Sequence, residues 1–380
     1  MVPFAGYSMP LLYPGIQTHV ESHRWVRQHA GLFDVSHMLQ SKLTGTGAVK
    51  LLDKITPTDF TQLQPCSGSL SVLLNKQGGV IDDLMVFREP EGFPGDGFYM
   101  VTNASRAKED SEFIRNELNE LPENARIQWE SIEGTALIAL QGPSSAAVLE
   151  SLVADPADLK KLTFGTRDYV HLADGTRVGV MRGGYTGEDG FEIAVPGASA
   201  EKFAEQLLSN NEVKPIGLAA RDSLRLEAGL CLYGNELDTA TTPVEANLKW
   251  VISKTRRSDA DKSRSVFNGY AKIMDQLQNK THGRVRVGFQ YLETTPAPAA
   301  RTGDRILDAT SGEQVGTVTS GSVSPSLSDE ATKRTVNIGQ AYVAQGHHKA
   351  GTGLVVEVRR KRFPITVAKL PLVPTHYYRG

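Results

Sequence analysis

An α+β protein of more than one domain is predicted by three observations in the sequence. Strands run into helices at Phe98–Leu121 and again where Ala136–Leu140 leads into Gln141-Gly142-Pro143-Ser144, yet a hairpin also occurs, Tyr169–Arg182, turning at Asp174-Gly175. A doubly wound parallel sheet would not mix the two. Towards the C-terminus the helical signal disappears, and the short strands Arg284–Leu292, Gly316–Thr319, Gly339–Val343, Leu354–Arg359 and Pro364–Leu370 are divided by Gly, Ser and Pro. Such regular short strands predict a separate β barrel or sandwich. Before it, Arg256–His282 is polar and charged and reads as a linker or surface insertion. The expected division is therefore residues 1–255, 256–282 and 283–380, and a chain of 380 residues has room for about two or three domains.

Composition narrows the function classes. The chain is 40% apolar and 22% charged, an ordinary globular balance. With 41 basic and 43 acidic residues the formal net charge is −2, so no global field attracts nucleic acid or an anionic membrane, and an anionic ligand must be met locally. Two cysteines, Cys66 and Cys231, are too few and too far apart for a disulfide framework or a zinc site, which fits a reducing compartment. No apolar run approaches the roughly 18 residues of a membrane span. The opening Met-Val-Pro-Phe-Ala-Gly-Tyr carries neither a secretory signal nor an Arg- and Ser-rich transit segment.

Taken in order, Phe4–Leu12 is rich in turn formers and aromatics, and Gln17–Gln28 is polar enough for an exposed helix. Gly31–Met38 alternates like a strand. At its end His37, beside Ser36, reads as a hydrogen-bonded structural residue or as a general base. Gly45–Ile55 has a helical pattern. The densest signal is Asn75–Arg88, where Gly78-Gly79 makes a sharp turn, Val80-Ile81 begin a strand, and Asp82 and Asp83 interrupt it before Leu84-Met85-Val86-Phe87 resumes. Neighbours in a strand point to opposite faces, so one acid can stay solvated while the other enters whatever the sheet covers and needs a partner or a task there. The alternative is that both finish the turn in water.

Asn103 lies between the strand Phe98–Asn103 and the helix Ser105–Leu121. It either faces a ligand or, like Ser105, caps the helix. Arg182–Glu192 holds a cluster of glycines that lets backbone approach a ligand closely. Glu192, on the strand Phe191–Val195, could hold the amidine-like N–H edge of a heterocycle, or these acids could join Asp82 and Asp83 around a hard cation. Gly217–Leu230 is helical in composition, with Arg221 and Arg225 on one face. Two guanidinium groups there bind a carboxylate, or pair with Asp222 and Glu227 in a surface network. Arg359–Arg362 is a solvated hairpin tip or a docking site for an acidic partner. The terminal pair Tyr377-Tyr378 is a packed anchor or part of a pocket wall.

Six blocks carry a resemblance. Phe4–Pro10, Phe33–Met38, Gly78-Gly79-Val80-Ile81-Asp82-Asp83, Gly184-Tyr185-Thr186-Gly187-Glu188-Asp189-Gly190-Phe191-Glu192, Leu218–Glu227 and Pro374-Thr375-His376-Tyr377-Tyr378 resemble, in this order, the motifs of aminomethyltransferase, the T-protein family of the glycine cleavage system. The match runs from residue 3 to the end and is most similar to the eukaryotic, mitochondrial form, whose transit peptide would precede Met1. The resemblance implies a three-domain cloverleaf around a central channel for tetrahydrofolate, with two intertwined α+β lobes and a C-terminal barrel. It implies transfer of the methylene carbon from an aminomethyl thioether on the lipoylated H-protein to tetrahydrofolate, giving methylenetetrahydrofolate, ammonia and the dihydrolipoyl carrier, in the mitochondrial matrix. No metal is implied. By position Asp83 matches the catalytic aspartate, with Asp82 its outward neighbour. Glu192 matches the acid that holds the pterin, Arg221 and Tyr377 match further folate contacts, and Asn103 and Tyr185 are further pocket members.

The chemistry suits these residue types. Loss of ammonia leaves an electrophilic one-carbon unit that a folate nitrogen must meet before water does, so positioning and exclusion of water dominate. A carboxylate can orient the reacting nitrogens, stabilise developing positive charge and relay a proton. Neither cysteine lies in a context that would make it a nucleophile. Two rival classes are a folate-binding repair or regulatory factor without transferase activity and a demethylating oxidase. Against the first, the Lys-Gly-Cys-Tyr-x-Gly-Gln-Glu block of that branch is replaced here by Gly-Gly-Tyr-Thr-Gly-Glu-Asp-Gly. Against the second, no Gly-x-Gly-x-x-Gly fingerprint follows a strand.

Overall fold

The computed structural model describes residues 1–92, 97–122, 126–257, 266–292, 297–329 and 331–380. Besides a short N-terminal ribbon of Val2–Phe4 paired with Tyr7–Met9, two larger sheets and a barrel carry the fold of the described residues. The first sheet is antiparallel, with the strands ordered Gly68–Leu74, Val80–Arg88, Phe98–Thr102, Leu39–Thr44 and Gln128–Ser131. The second has six strands, in the order Thr166–His171, Arg177–Arg182, Gly190–Pro196, Thr135–Gln141, Ala30–Asp34 and Val213–Pro215. Its only parallel pair among the described residues is the last. The chain passes between the sheets twice, from Ala30–Asp34 to Leu39–Thr44 and from Gln128–Ser131 to Thr135–Gln141. The strand expected over Gly31–Met38 is therefore broken after Asp34, where the crossing begins.

Alternation assigns a face to each side chain. On the first sheet Leu84, Val86, Phe98 and Met100 pack with Leu51, Leu52, Ile55 and Ile114 from the helices Ala48–Ile55 and Ala107–Asn119. On the second, Ile138, Leu140, Ile193 and Val195 pack with Phe203 and Leu207 from the helix Gly197–Leu208. The opposite parities meet in a third cluster, in which Phe87, Tyr99 and Val101 of the first sheet touch Leu137, Ala139, Met181 and Ala194 of the second. Ala220 and Leu224 of the helix Leu218–Glu227 belong to that same cluster. The layer between the sheets thus gathers three elements that are distant in sequence.

The segment expected as a linker or insertion carries packed structure. Residues 258–265 lie outside the described residues, but the helix Tyr270–Asn279 follows, and Phe267 and Ile273 join Val72, Leu74 and Val80 in a buried cluster. Its start rests on the Gly78-Gly79 turn. A side chain at Gly79 would put a Cβ 1.8 Å from the Thr239 carbonyl oxygen, so only glycine fits there.

The C-terminal strands close into a barrel ordered Arg284–Tyr291, Asn337–Ala344, Gln314–Val323, Arg305–Asp308, Gly353–Val358 and Lys361–Ala368. The strand Arg305–Asp308 is one the sequence does not announce, because both of its ends are charged and only Ile306 and Leu307 are core residues. Arg359 and Arg360, with φ of 50° and 65°, make the exposed tip of the last hairpin. The helix at residues 19–28, expected to be exposed, buries Ser22, His23 and Val26.

Candidate active site

The strand Val80–Arg88 presents Asp83 to the same face as Met85 and Phe87, the face towards the second sheet. Asp82 takes the other face with Leu84 and Val86, and it is 0% exposed. Neither acid finishes the turn in water, and Asp82 is not outward. The reason is the helix Ala107–Asn119, which covers that face and makes Asp82 the more deeply buried of the two. Asn103 joins them. Its backbone N–H donates to Asp82 Oδ2 and its side-chain amide to Asp82 Oδ1, both at 2.8 Å, and the same amide donates to Asp83 Oδ1 at 2.8 Å. The side chain of Asn103 makes no capping hydrogen bond, so of its two expected roles it serves the acids. Burial pushes the Asp83 carboxyl up to about 6, against the lowering effect of the Asn103 amide.

Glu192 and Arg221 share the interlayer face. Glu192 follows the parity of Ala194, and Arg221, on the helix Leu218–Glu227, is close enough for each to feel the other's charge. Burial raises the Glu192 carboxyl above its usual range while the Arg221 guanidinium draws it back, and no hydrogen bond among the described residues reaches it. Arg221 stands 4.6 Å over the Tyr185 ring, and its guanidinium has neither a hydrogen bond nor an ion pair among the described residues. Tyr185 donates its hydroxyl to the Cys231 carbonyl and feels the charge of both Arg221 and Asp83. Asp83, Asn103, Tyr185, Glu192 and Arg221 therefore form one electrostatic neighbourhood between the sheets. The glycine-rich loop beside it is tied down by Gln141, which donates to the Gly183 carbonyl at 2.9 Å and accepts from the Thr186 hydroxyl at 2.9 Å.

The two arginines do not act together. Arg225 donates to Asp222 at 2.8 Å and to Glu236 at 2.9 Å, and it is 1% exposed. Glu227 instead binds Arg27 at 2.8 Å. The surface network expected for Arg221, Arg225, Asp222 and Glu227 is thus split, because the barrel packs over this helix and buries one arginine while the other is left facing the interlayer space.

Tyr377 sits apart from this neighbourhood. Its ring stacks on Phe164 at 4.0 Å, and the charges around it are Arg27, Arg379 and Glu188. No hydrogen bond, ion pair or ring contact joins it to Asp83, Glu192 or Arg221 among the described residues. His37 packs its ring edge-on to Phe4, 5.6 Å between centroids, and burial followed by Arg221 lowers its pKa. Burial pushes the Cys231 thiol up to about 12, far from a reactive thiolate. Among the described residues no group of three or more His, Cys, Asp or Glu could hold a metal ion. Asp110, on the helix Ala107–Asn119, is 0% exposed, and sequence reasoning did not single it out. Its signal is an acid one turn before Ile114 on the apolar face of its helix.

Comparison with known proteins identifies the family of the chain. The family model described as the GCVT N-terminal domain matches residues 1–256, and that described as the glycine cleavage T-protein C-terminal barrel domain matches residues 284–374. The chain belongs to the glycine cleavage T-protein family. The mitochondrial aminomethyltransferase of Saccharomyces cerevisiae is 58% identical over 382 residues, covering 100% of this chain and 92% of that protein. The human mitochondrial aminomethyltransferase is 44% identical over 378 residues, covering 100% of this chain and 87% of the relative. A crystal structure of glycine cleavage system aminomethyltransferase T from Bartonella henselae superposes with a TM-score of 0.84 at 36% identity, over 100% of this chain and 95% of that one. This T-protein family member is an aminomethyltransferase of the mitochondrial type. No helix among its described residues is long and apolar enough to cross a membrane.

Proposed function

We propose that the interlayer space binds tetrahydrofolate and that Asp83 acts on it while an aminomethyl group arrives on the lipoyl arm of the H-protein, in the mitochondrial matrix. The observation that supports this most directly is a half-buried carboxylate, Glu192, and a half-buried guanidinium, Arg221, beside Asp83, neither of them hydrogen-bonded among the described residues. Buried polar groups normally find partners. A pterin offers N–H donors to the first, and the carboxylate end or ring carbonyl of a folate offers acceptors to the second. Tyr185 would form a wall of the pocket, and Tyr377 a rim contact against Phe164.

In the reaction two bonds to carbon break, one to the leaving amine and one to the lipoyl sulfur, and two form to folate nitrogens. The products are 5,10-methylenetetrahydrofolate, ammonia and the dihydrolipoyl carrier. Two N–H protons must therefore leave the folate nitrogens, one ending on ammonia and one on sulfur. Asp83, with its carboxyl pushed up to about 6, has the affinity to accept such a proton and release it near neutral pH. Ionised, it also stabilises the positive charge that develops on the one-carbon unit. The packed interlayer cluster limits water, which would otherwise hydrolyse that unit.

The test is tetrahydrofolate-dependent ammonia release from an aminomethyl-loaded lipoyl carrier protein, with wild type beside Asp83→Asn. Asp83→Asn should keep folate binding and lower turnover by about 100-fold or more. A variant as active as wild type would remove Asp83 from the mechanism, and folate binding without ammonia release by wild type would overturn the transfer itself.

A further inference from the structure

The C-terminal segment returns from the barrel to the α+β region and ends beside the glycine-rich loop, and the reaction as described makes no use of how it is held there. Beyond the last barrel strand, Lys361–Ala368, the backbone N–H groups of Leu372 and Val373 both donate to the Glu227 carbonyl, at 2.8 and 3.0 Å. Thr375 then packs on Gly187, where a Cβ would come within 3.0 Å of Ala228 and 3.4 Å of Thr375, so a glycine lets the tail lie close. The His376 N–H donates to the Gly187 carbonyl at 2.8 Å. Past Tyr377, the Tyr378 carbonyl accepts from the Phe164 N–H at 2.7 Å, and the Arg182 guanidinium lies 3.8 Å from the centre of the Tyr378 ring. Tyr377, stacked on Phe164, is thus strung between an anchor on either side.

The side chain of His376 adds a directed bond to the first anchor. Its Nδ1 lies 2.9 Å from Glu188 Oε2. A carboxylate only accepts, so Nδ1 carries the hydrogen and donates. The two partners differ in setting, for the side chain of His376 is 63% exposed and that of Glu188 3%. The other oxygen of Glu188 accepts from Arg27 Nη1 at 2.8 Å, and the same nitrogen donates to the Thr186 carbonyl at 2.7 Å. The Glu188 N–H in turn donates to the Thr186 hydroxyl at 3.2 Å. The carboxylate is therefore fixed by its own loop and by the helix His19–Gln28, and its second oxygen is left for the tail. Between two solvated side chains such a bond would contribute little. Made to a withdrawn and immobilised carboxylate, it is charge-assisted and fixed in direction.

We propose that His376 is a positioning residue for folate: by donating to Glu188 it locks the tail onto the glycine-rich loop and so sets Tyr377 at the rim of the pocket. This rests on the reading that Tyr377 touches the bound folate. The loop is a suitable reference for that contact. It carries Tyr185, over which Arg221 stands, and it runs into the strand Gly190–Pro196 that bears Glu192. One loop thereby places the rim relative to the groups inside.

The test is calorimetric titration of tetrahydrofolate into full-length wild type, His376→Ala, His376→Asn, Tyr377→Ala and the double variant that combines the two alanines. The asparagine amide nitrogen sits close to where histidine Nδ1 does, so it still donates to Glu188. His376→Ala should weaken tetrahydrofolate about fivefold, His376→Asn should stay within about twofold of wild type, and Tyr377→Ala should lose at least as much as His376→Ala. The double variant should bind no worse than Tyr377→Ala, because His376 acts only through Tyr377. In steady-state turnover the loss should appear in the KM for tetrahydrofolate, with kcat within about twofold of wild type, since Asp83 is untouched. His376→Ala at wild-type affinity, an asparagine variant as weak as the alanine one, or a double variant in which the two losses multiply overturns the proposal and leaves the reading of Tyr377 intact. Tyr377→Ala at wild-type affinity overturns that reading and the proposal with it.

A second readout needs neither folate nor turnover. In His376→Ala the backbone amides of residues 375–380 should exchange hydrogen about tenfold faster than in wild type, and His376→Asn should restore the slower rate. The thermal melt should barely move, because the substituted side chain is mostly exposed. Unchanged exchange overturns the proposal whatever the titrations say of the pocket.

Discussion

At Glu192 burial and the lack of a donor among the described residues act on one carboxyl, and that combination sets how the residue should respond to change. If it holds the pterin by charge-assisted hydrogen bonds, Glu192→Ala should weaken tetrahydrofolate about 10- to 100-fold in calorimetric titration. Unchanged affinity would remove it from the pocket. The sign with pH follows from its shift. Its pKa is raised by burial, so in the free protein it takes up a proton at a higher pH than an ordinary glutamate, and folate affinity should fall as pH drops through that raised value. The Asp82 and Asp110 carboxyls give a separate prediction on stability. Their folded-state pKa values lie above the unfolded ones, so the unfolded chain binds fewer protons in the interval between, and stability should decline as pH rises through it. Urea unfolding at a series of pH values should show Asp110→Asn with a flatter decline than wild type. An equally steep decline would place the titrating group elsewhere.

Among the elements, the helix Leu218–Glu227 is where several neighbours meet, and Glu227 is the residue that joins them. It accepts from Arg27 and His23 on the helix His19–Gln28 and from the hydroxyls of Ser324 and Ser326 beside the barrel. Burial alone would raise its pKa. The hydrogen bond and charge of His23, the charge of Arg27 and the Ser324 hydroxyl outweigh that and hold it down to about 2. Burial in turn lowers the pKa of His23, so at neutral pH the permanent cation of this group is Arg27. A depressed carboxyl contributes stability above its unfolded pKa and loses it as pH falls towards the folded one. Glu227→Gln should therefore cost about 3 kcal/mol at neutral pH, read from urea unfolding, and the difference from wild type should shrink on acidification below about pH 4. A difference that stayed constant with pH would mean that the charge is not what matters. This element also marks how far the sequence could be read. Its composition announced the helix, and strand alternation announced that Asp82 and Asp83 face opposite ways, though not that both are withdrawn from water. The partition of Arg221 and Arg225 did not, because it depends on where the barrel covers the helix. The same holds for Asp82 and Asp110, since a local pattern that shows an acid on an apolar face does not show the second acid that meets it across the fold. The motifs resembling a known family pointed to Asp83, Glu192 and Arg221 together, which spacing alone did not.

At the scale of the whole molecule the barrel is joined to the α+β region by buried polar groups rather than by a plain apolar face. Arg225 donates to Glu236 and to the Ser320 hydroxyl of the barrel, Ser320 donates back to Glu236 at 2.7 Å, and Arg286 of the barrel donates to the Ala246 carbonyl at 2.7 Å. Among the described residues the apolar cluster at this seam is small, with Leu226, Val336 and Ile338 buried and Leu327 and Leu372 packed against them. Separating the parts would take the Ser320 hydroxyl from Arg225 and Glu236 and the Ser324 and Ser326 hydroxyls from Glu227, leaving charges short of hydrogen bonds within surfaces shaped to enclose them, although the ion pairs Arg225–Glu236 and Glu227–Arg27 stay together. Partial separation is therefore costly, and opening the seam should be coupled to unfolding of both parts. Calorimetry should accordingly record one unfolding transition whose calorimetric and van't Hoff enthalpies agree. Arg225→Met, which removes the central cation and leaves Glu236 without it, should lower Tm by about 5 °C or more. Two resolved transitions in wild type would show that the barrel unfolds on its own and that the polar seam does not couple it to the interlayer site. In that case the line from the barrel through Arg225 to the helix bearing Arg221 would have no energetic content.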